Sequence, residues 1–294
     1  MKVVTAIILV FLLSGPAFAQ IFPSRSIILA PPLRPISDTS TTTTYLNRQG
    51  IWGNLGRGFN STGDRFGWSI SFGGIIQFVE WEHSAISMSG DIEVLADTHN
   101  DISFNPRSVF WTEGFLYTDQ LGNAELSAGY IHRCRHDIDN LGVDSVGSNE
   151  ARTLIYGSVL ARLLWRDISI AGINSELWAQ LDYYLIKQDD RHPRIDSTTG
   201  NLEKIEASVS AGFKLSLLEP LYVRASAIAT AFNGYNKITI NNRAEVGAEF
   251  SGAATTMNVF LGYESLADDL NRPVPVASNY WYIGFRFIGK NIGL

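Results

Sequence analysis

The 294-residue sequence has one cysteine, few charged residues and only one long apolar run. A single cysteine excludes an intrachain disulfide framework and a cysteine-rich zinc site. Lysine and arginine total 23 against 29 acidic residues, so the chain lacks the basic excess with which nucleic-acid-binding proteins neutralise phosphates. Charged residues make up 18% of the chain, below the roughly 25% of soluble domains, whereas aromatic residues reach 12%. This composition argues against a disordered chain and against a nucleic-acid partner.

The one continuous apolar run lies at the N-terminus and predicts a signal peptide. Lys2 supplies a positive charge, residues 3–13 are apolar, and a small-residue cleavage site follows at 17–19. This run is too short for a membrane-spanning helix, which needs about 20 apolar residues. We therefore expect residues 1–19 to be a signal peptide that is cleaved before Gln20.

Most of the remaining chain alternates apolar and polar residues, which predicts β-strands with one apolar face. The segments are longer than the roughly five or six residues common in soluble sheets, and a tilted strand of about ten residues crosses the hydrocarbon layer. Their apolar faces also end in aromatic residues, as in the girdles of membrane barrels. We predict an all-β fold, namely a closed antiparallel transmembrane β-barrel. The clearest apolar face comprises Ile205, Ala207, Val209, Ala211, Phe213 and Leu215.

The connections between these segments alternate between short and long, as in outer-membrane barrels. The short connections are predicted near residues 82–83, 120–121, 167–170, 218–219 and 252–253. A less regular strand around residues 45–58 would complete an even number of strands and bring both chain ends to one side. We predict twelve strands, with ten as the alternative, and assign residues 45–294 to the barrel and 20–44 to a Pro/Thr-rich periplasmic lead. The other predicted strands are 66–82, 84–97, 106–118, 123–135, 151–166, 173–187, 203–217, 220–232, 242–251, 254–264 and 279–289.

Charged residues of both signs occupy the polar faces of the predicted strands. A barrel of about twelve strands is much narrower than the porins, whose 16–18 strands leave an aqueous channel. The sequence therefore favours a filled, salt-bridged interior, and a narrow solute pore is the alternative. The predicted interior network comprises Glu125, Glu176, Asp182, Lys204, Glu206, Lys214, Arg224, Arg243, Glu245 and Arg286.

One strand carries residues with chemical character. By the two-residue period, His132 and Cys134 continue the apolar face of the strand at 123–135. A base beside a nucleophile is the arrangement that covalent acyl transfer requires. The sequence thus suggests a catalytic pair. A third group would orient the imidazole. The candidates are Asp137, Asp139, Asn149 and Glu150.

The basic residues of the same segment have a non-catalytic interpretation. Arg133, Arg135 and His136 would lie at the rim of the barrel, where cationic side chains meet lipid phosphates. They are therefore candidates for binding lipid headgroups, including those of lipopolysaccharide. His132, Cys134 and His136 also carry metal-ligating atoms, but the predicted strand end places His136 in a loop, so we predict neither a metal nor a cofactor.

The segment His132-Arg133-Cys134-Arg135-His136 resembles the outer-membrane phospholipase A family, whose strand motif is His-x-Ser-Asn-Gly. Cys134 stands where that family has serine, and Arg135-His136 where it has Asn-Gly. The resemblance implies a twelve-stranded barrel with the His and nucleophile facing lipid. The same segment is also similar to a His-x-Ser-Ser-His strand of uncharacterised bacterial outer-membrane barrels, as are Phe22-Pro23 and Leu29-Ala30-Pro31. That family implies a barrel without a known reaction.

The sequence leaves three functions open. The favoured one is an integral outer-membrane β-barrel of a Gram-negative-type envelope with a structural, lipid-interacting or narrow transport role and no assigned reaction. Its aromatic last strand resembles the signal read by the barrel-assembly machinery, which is an expected partner together with outer-membrane lipids. The alternatives are an outer-leaflet lipid acyl hydrolase that uses His132 and Cys134, and a soluble periplasmic β-protein.

Overall fold

The computed structural model of the chain describes residues 43–59, 67–97, 105–137, 153–189, 205–232, 237–266 and 278–289. These residues form twelve antiparallel strands, each paired with its neighbours in the chain, and β1 and β12 pair to close the barrel. No part of these ranges forms a helix that is long and apolar enough to cross a membrane. The strands are β1 (Thr44–Phe59), β2 (Trp68–Trp81), β3 (Ser84–Asp97), β4 (Asn105–Leu121), β5 (Ala124–Asp137), β6 (Thr153–Ile170), β7 (Ile173–Asp189), β8 (Ile205–Leu218), β9 (Leu221–Phe232), β10 (Lys237–Ser251), β11 (Thr255–Leu266) and β12 (Ser278–Gly289).

The predicted twelve-stranded barrel is confirmed, and the ten-stranded alternative is wrong. The irregular first strand is a full member of the sheet, since Trp52 pairs with Gly73 of β2 on one side and Ile288 of β12 on the other. Closure gives the first and last strands hydrogen-bonding partners along Trp52–Phe59, so neither is a free edge strand over this part of the described sheet.

Tight turns join the strands in pairs at one end of the barrel, which we call the turn end. The strand pairs β2–β3, β4–β5, β6–β7, β8–β9 and β10–β11 are all joined there by two or three residues. Thr44 at the start of β1 and Gly289 at the end of β12 lie at the same end. The other connections lie outside the described residues. This arrangement agrees with the even strand number and the short connections expected from the sequence.

Three predicted turns were placed too early in the chain. For β8 and β9 the difference is one residue, since the turn lies at Glu219–Pro220 and not at residues 218–219. The sequence suggested a turn at residues 167–170, but β6 continues through a β-bulge near Asp167 and turns at Ala171–Gly172. Both turn residues have positive φ (52° and 81°), the geometry of the favoured two-residue hairpin turns, and glycine adopts it without strain. Likewise, β4 turns into β5 at Gly122, not at residues 120–121.

The barrel has apolar side chains on its outer surface and many polar side chains in its interior, the reverse of a soluble protein. Alternating side chains expose large apolar groups on the outer face and bury polar groups on the inner face. A soluble sandwich would place its polar face in water, whereas this barrel presents an apolar belt. The chain is therefore an integral β-barrel of the outer-membrane type. Exposed members of the belt include Phe72, Ile92, Phe115, Leu126, Val159, Leu181, Val209, Val259, Ile283 and Phe285.

Aromatic side chains pack inside the barrel and extend across its interior. Leu95 and Phe110 of strands β3 and β4 belong to the same buried cluster as Phe260 and Tyr282 of β11 and β12. The rings of Phe260 and Tyr282 meet edge to face, with centroids 5.7 Å apart. Gly262 provides the space for Tyr282, because a methyl group at this glycine would overlap the tyrosine ring.

We predict that Gly262→Ala destabilises the barrel by about 1–3 kcal/mol, because the added methyl group displaces a packed ring. The measurement is urea unfolding in detergent micelles, followed by the gel shift between folded and unfolded protein. Gly90→Ala is the matched control, since its new methyl group would meet only the Thr112 carbonyl oxygen, at 3.5 Å. Equal stability of both variants would contradict the role assigned to Gly262.

Candidate functional sites on the outer face and in the interior

Strand β5 separates its neighbouring side chains between the two faces of the barrel wall. Ile131 and Arg133 are buried inside, with exposed fractions of 0% and 2%. His132 and Cys134 alternate with them and are only partly buried, so they lie on the outer face. The thiol and the imidazole are therefore two residues apart on the side of the wall that faces the bilayer.

Strand β4 adds a carboxylate beside this pair. Glu113 lies directly opposite His132, and Trp111 lies opposite Cys134. Both β4 residues are exposed, and Trp111 Nε1 donates a hydrogen bond to Glu113 Oε2 at 3.4 Å. Sequence reasoning did not single out Glu113. The sequence does contain a signal for it. Glu113 is a charged residue at an alternate position among the aromatic residues Trp111, Phe115 and Tyr117.

Strand β6 leaves space on the other side of His132. The residue opposite His132 is Gly157, and a methyl group there would come within 2.9 Å of Tyr130 Cζ. The Tyr130 phenol therefore lies across β6 at the level of His132. His132 therefore has the acidic residue Glu113 opposite it on β4, and the phenol of Tyr130 lies on its β6 side.

The structure corrects the assignment of Arg133 to lipid headgroups. Arg133 Nη1 donates to Ser158 Oγ at 3.3 Å and lies 3.7 Å from Asp182 Oδ1, inside the barrel. With an exposed fraction of 2%, its guanidinium cannot reach a headgroup, so that interpretation is wrong. The physical reason is the two-residue period, which places Arg133 on the face opposite His132.

Some of the remaining candidate residues lie in β5, and the others lie outside the residues that the structure describes. Strand β5 extends to Asp137, so His136 lies in the strand and pairs with Val109 and Thr153, contrary to the expectation of a loop. The structure describes the backbone but not the side chains of Arg135, His136 and Asp137. It does not describe Asp139, Asn149 or Glu150. Within the described chain, no three His, Cys, Asp or Glu side chains are arranged to hold a metal ion.

Glu245 is the centre of the first ion network inside the barrel. Arg286 Nη2 donates to Glu245 Oε1 at 2.8 Å, and Arg286 Nη1 donates to Glu245 Oε2 at 3.3 Å. Arg243 Nε adds a bond of 2.8 Å to Glu245 Oε1, and Tyr282 Oη donates to the same atom at 3.1 Å. Arg286 Nε also donates to Asn54 Oδ1 at 3.1 Å, so the network reaches β1. The buried carboxylate thus joins β10, β12 and β1.

Further ion pairs line other parts of the inner wall. Lys214 Nζ lies 2.7 Å from Glu249 Oε2 and 3.9 Å from Glu176 Oε1. Asp182 accepts hydrogen bonds from Ser158 and Gln180, each at 2.8 Å. These contacts satisfy much of the buried charge through protein groups, as expected for a filled interior.

The residues predicted to line the interior differ in the exposed fraction of their side chains and in their positions along the strands. Glu125 is 1% exposed, and its Oε2 lies 3.4 Å from Arg166 Nη2, a partner that was not predicted. Arg224 lies opposite Lys214 on β8 and Glu245 on β10. Glu206 is exposed near the end of β8 that is remote from the turn end, and Lys204 lies outside the described residues.

Several solved structures resemble this barrel in fold. Outer membrane phospholipase A from Escherichia coli has a TM-score of 0.44 and 12% sequence identity, covering 83% of this chain and 92% of that chain. The Pseudomonas putida toluene transporter TodX has a TM-score of 0.42 and 8% identity, covering 94% and 96%. A Pseudomonas aeruginosa FadL homologue has a TM-score of 0.43 and 11% identity, covering 94% and 100%. No protein-family model and no curated protein matches the sequence.

We predict that Glu245→Gln destabilises the barrel by about 3–5 kcal/mol, since it leaves the Arg243 and Arg286 charges without their buried counter-charge. Urea unfolding in micelles measures the loss. Glu206→Gln removes one negative charge from an exposed position of the inner face and is the matched control. A loss below about 1 kcal/mol, the range of exposed pairs, would contradict the structural importance of this network.

Proposed function

We propose that this protein resides in the outer membrane of a Gram-negative-type envelope and acts on or binds lipids at its outer face. The observation that carries the proposal is the placement of Glu113 opposite His132 within the apolar belt. Ionisable side chains that face hydrocarbon are costly, and they are usually retained because they serve a function. A purely structural barrel would have no need for them at this position.

The height of this pair supports a role near the outer leaflet. In outer-membrane barrels the short turns face the periplasm, which assigns that side to the turn end. His132 lies eight residues beyond Ala124, the first residue of β5. For a strand tilted by about 40°, this distance corresponds to roughly 20 Å above the periplasmic turns, in an apolar belt about 25 Å tall. Outer-membrane lipids, lipopolysaccharide among them, would then be the partners within reach.

The packed interior supports a lipid-facing role over transport. The Glu245 network and the aromatic cluster that includes Phe110 and Tyr282 occupy the inner wall with buried side chains. A conducting lumen would instead expose such groups to water, as in porins. The expected signal peptide at 1–19, the lead at 20–44 and the barrel-assembly machinery as a partner complete this proposal.

We expect the purified barrel to give no steady conductance in planar lipid bilayers, because buried ion pairs and aromatic rings obstruct its interior. The control is a 16-stranded porin reconstituted by the same procedure, which must give open-channel current. Reproducible unit conductance from the purified protein would overturn the proposed filled interior and favour a narrow pore.

A lipid acyl hydrolase is the second candidate function, favoured by the position of Glu113. In this reaction Cys134 would attack the acyl carbonyl of a lipid ester while His132 accepts the thiol proton and passes it to the departing alcohol. The resulting thioester would then be hydrolysed by water, which releases a fatty acid and restores the thiol. Glu113, on the neighbouring strand, would orient the imidazole, a role that the sequence suggested for Asp137.

For the hydrolase, we expect His132→Ala and Cys134→Ala to lower acyl release from phospholipid micelles by about 10²-fold or more. Glu113→Gln should lower it less, because Glu113 acts through the imidazole. Tyr117→Phe is a control on the same outer face of β4. Activity unchanged in all three variants, or no release by the parent protein, would exclude the hydrolase, while the lipid-binding proposal would remain testable by itself.

A further inference from the structure

Arg57 lies on the outer face of the barrel, near the end of the strands that is remote from the turn end. It is directly opposite Ile283 of β12 and Trp68, the first residue of β2. Residues opposite each other in an antiparallel pair project from the same face of the sheet, and Ile283 is 58% exposed in the apolar belt. Arg57 is therefore a cation of the lipid-facing side, whereas Arg133 lies inside.

Aromatic side chains of four neighbouring strands accompany Arg57 on the outer face. Aromatic residues of this kind form the girdles of membrane barrels, at the level where hydrocarbon meets the lipid headgroups. Trp81 and Tyr117, whose ring centroids are 6.1 Å apart, form the corresponding pair at the turn end. Arg57 therefore lies at a boundary of the apolar belt and not in its middle. The aromatic residues near Arg57, which we call the far girdle, are Phe59, Trp68, Tyr263 and Trp281.

Two contacts hold the Arg57 guanidinium against the far girdle. Its Cζ atom lies 4.8 Å from the centroid of the Trp68 ring, whose face attracts a cation. Arg57 Nη1 donates a hydrogen bond to the Gly67 carbonyl oxygen at 3.2 Å. The carbonyl takes one of the five N–H groups of a guanidinium, and neither contact supplies a negative charge. Arg57 is thus oriented by its surroundings but is not neutralised by these two contacts.

The location of Arg57 determines which anion it can meet. A guanidinium binds phosphate oxygens through two parallel hydrogen bonds, and such charge-assisted bonds are about twice as strong as neutral ones. Phosphates are the negatively charged groups that membrane lipids place at this boundary. Because the short turns of outer-membrane barrels face the periplasm, the far girdle would lie in the outer leaflet. The phosphorylated lipid of that leaflet is lipopolysaccharide, whose lipid A carries phosphates on its sugars.

We propose that Arg57, oriented by Trp68, binds a phosphate group of lipopolysaccharide at the outer boundary of the apolar belt. This assigns to Arg57 the headgroup contact that the sequence suggested for Arg133. The inference rests on the proposed outer-membrane location and lipid-binding role, but it uses residues separate from Glu113 and His132.

The test is native mass spectrometry of the full barrel in detergent with added hexa-acylated lipid A that carries both phosphates. The wild-type protein should retain this lipid more strongly than the same glycolipid without phosphates. Arg57→Gln should weaken retention of the phosphorylated lipid by about tenfold or more, the effect of losing hydrogen bonds between charged groups. Trp68→Leu should weaken it by about threefold, since the guanidinium loses the ring that orients it.

Lys187→Gln is the matched control, because it removes the same charge from the inner face, opposite Tyr156 of β6. This variant should retain lipid A as the wild type does. Arg57→Lys keeps the charge but not the planar fork, so its loss should be smaller than that of Arg57→Gln. The folded state of each variant is checked by its heat-dependent migration in SDS gels. Should Arg57→Gln not fold, Arg57→Lys takes its place.

Equal retention of lipid A by the wild type and a folded Arg57 variant would overturn the inference and leave the proposed lipid site at Glu113 and His132 unaffected. An equal loss in Lys187→Gln, or equal retention of the two glycolipids by the wild type, would also overturn it. Preferential retention of palmitoyl-oleoyl-phosphatidylethanolamine, which carries a phosphodiester, would overturn the assignment to lipopolysaccharide. A wild-type protein that retains no lipid at all would contradict both this inference and the proposed lipid-binding role.

Discussion

The structure depends on hydrogen-bonding its backbone in an environment without water. Each strand that faces hydrocarbon must pair on both sides, so the sheet has to close, and β1 does this by pairing with both β2 and β12. Closure in turn fixes which side chains point outward. Because the two faces alternate at every residue, the same register that hides the amide groups also decides that His132 faces lipid and Arg133 faces the interior.

Closure also creates a narrow interior in which charged groups must find one another. Glu245 illustrates how this is achieved, since cations from its own strand and from β12 surround one carboxylate together with a tyrosine hydroxyl. Such a network contributes little net stability compared with apolar packing, but removing one member leaves the others uncompensated. Within the described strands, the interior side chains thus mainly contact one another, and the outer face is the side of the wall that can contact other molecules.

Strand positions could be predicted from the sequence wherever alternation is uninterrupted, because the two-residue period is a local property. Register could not be predicted in the same way. A turn at residues 120–121 would have placed Val109 opposite His132, whereas the observed turn at Gly122–Asn123 places Glu113 there. The proximity of Glu113 depends on this shift of the turn. The prediction for Arg133 was wrong for another reason. It grouped Arg133 with its sequence neighbours, although successive residues of a strand lie on opposite faces.

Among the described residues, the β1–β12 ladder that closes the barrel is shorter than the two ladders beside it. Within the described residues β12 pairs with β1 only along Trp52–Phe59, half the length of β1, whereas β2 follows β1 from Thr44 to Arg57. A short ladder has fewer hydrogen bonds to break before the two strands separate. Within the described residues, separating the first strand from the last should therefore break fewer hydrogen bonds than opening either adjacent ladder.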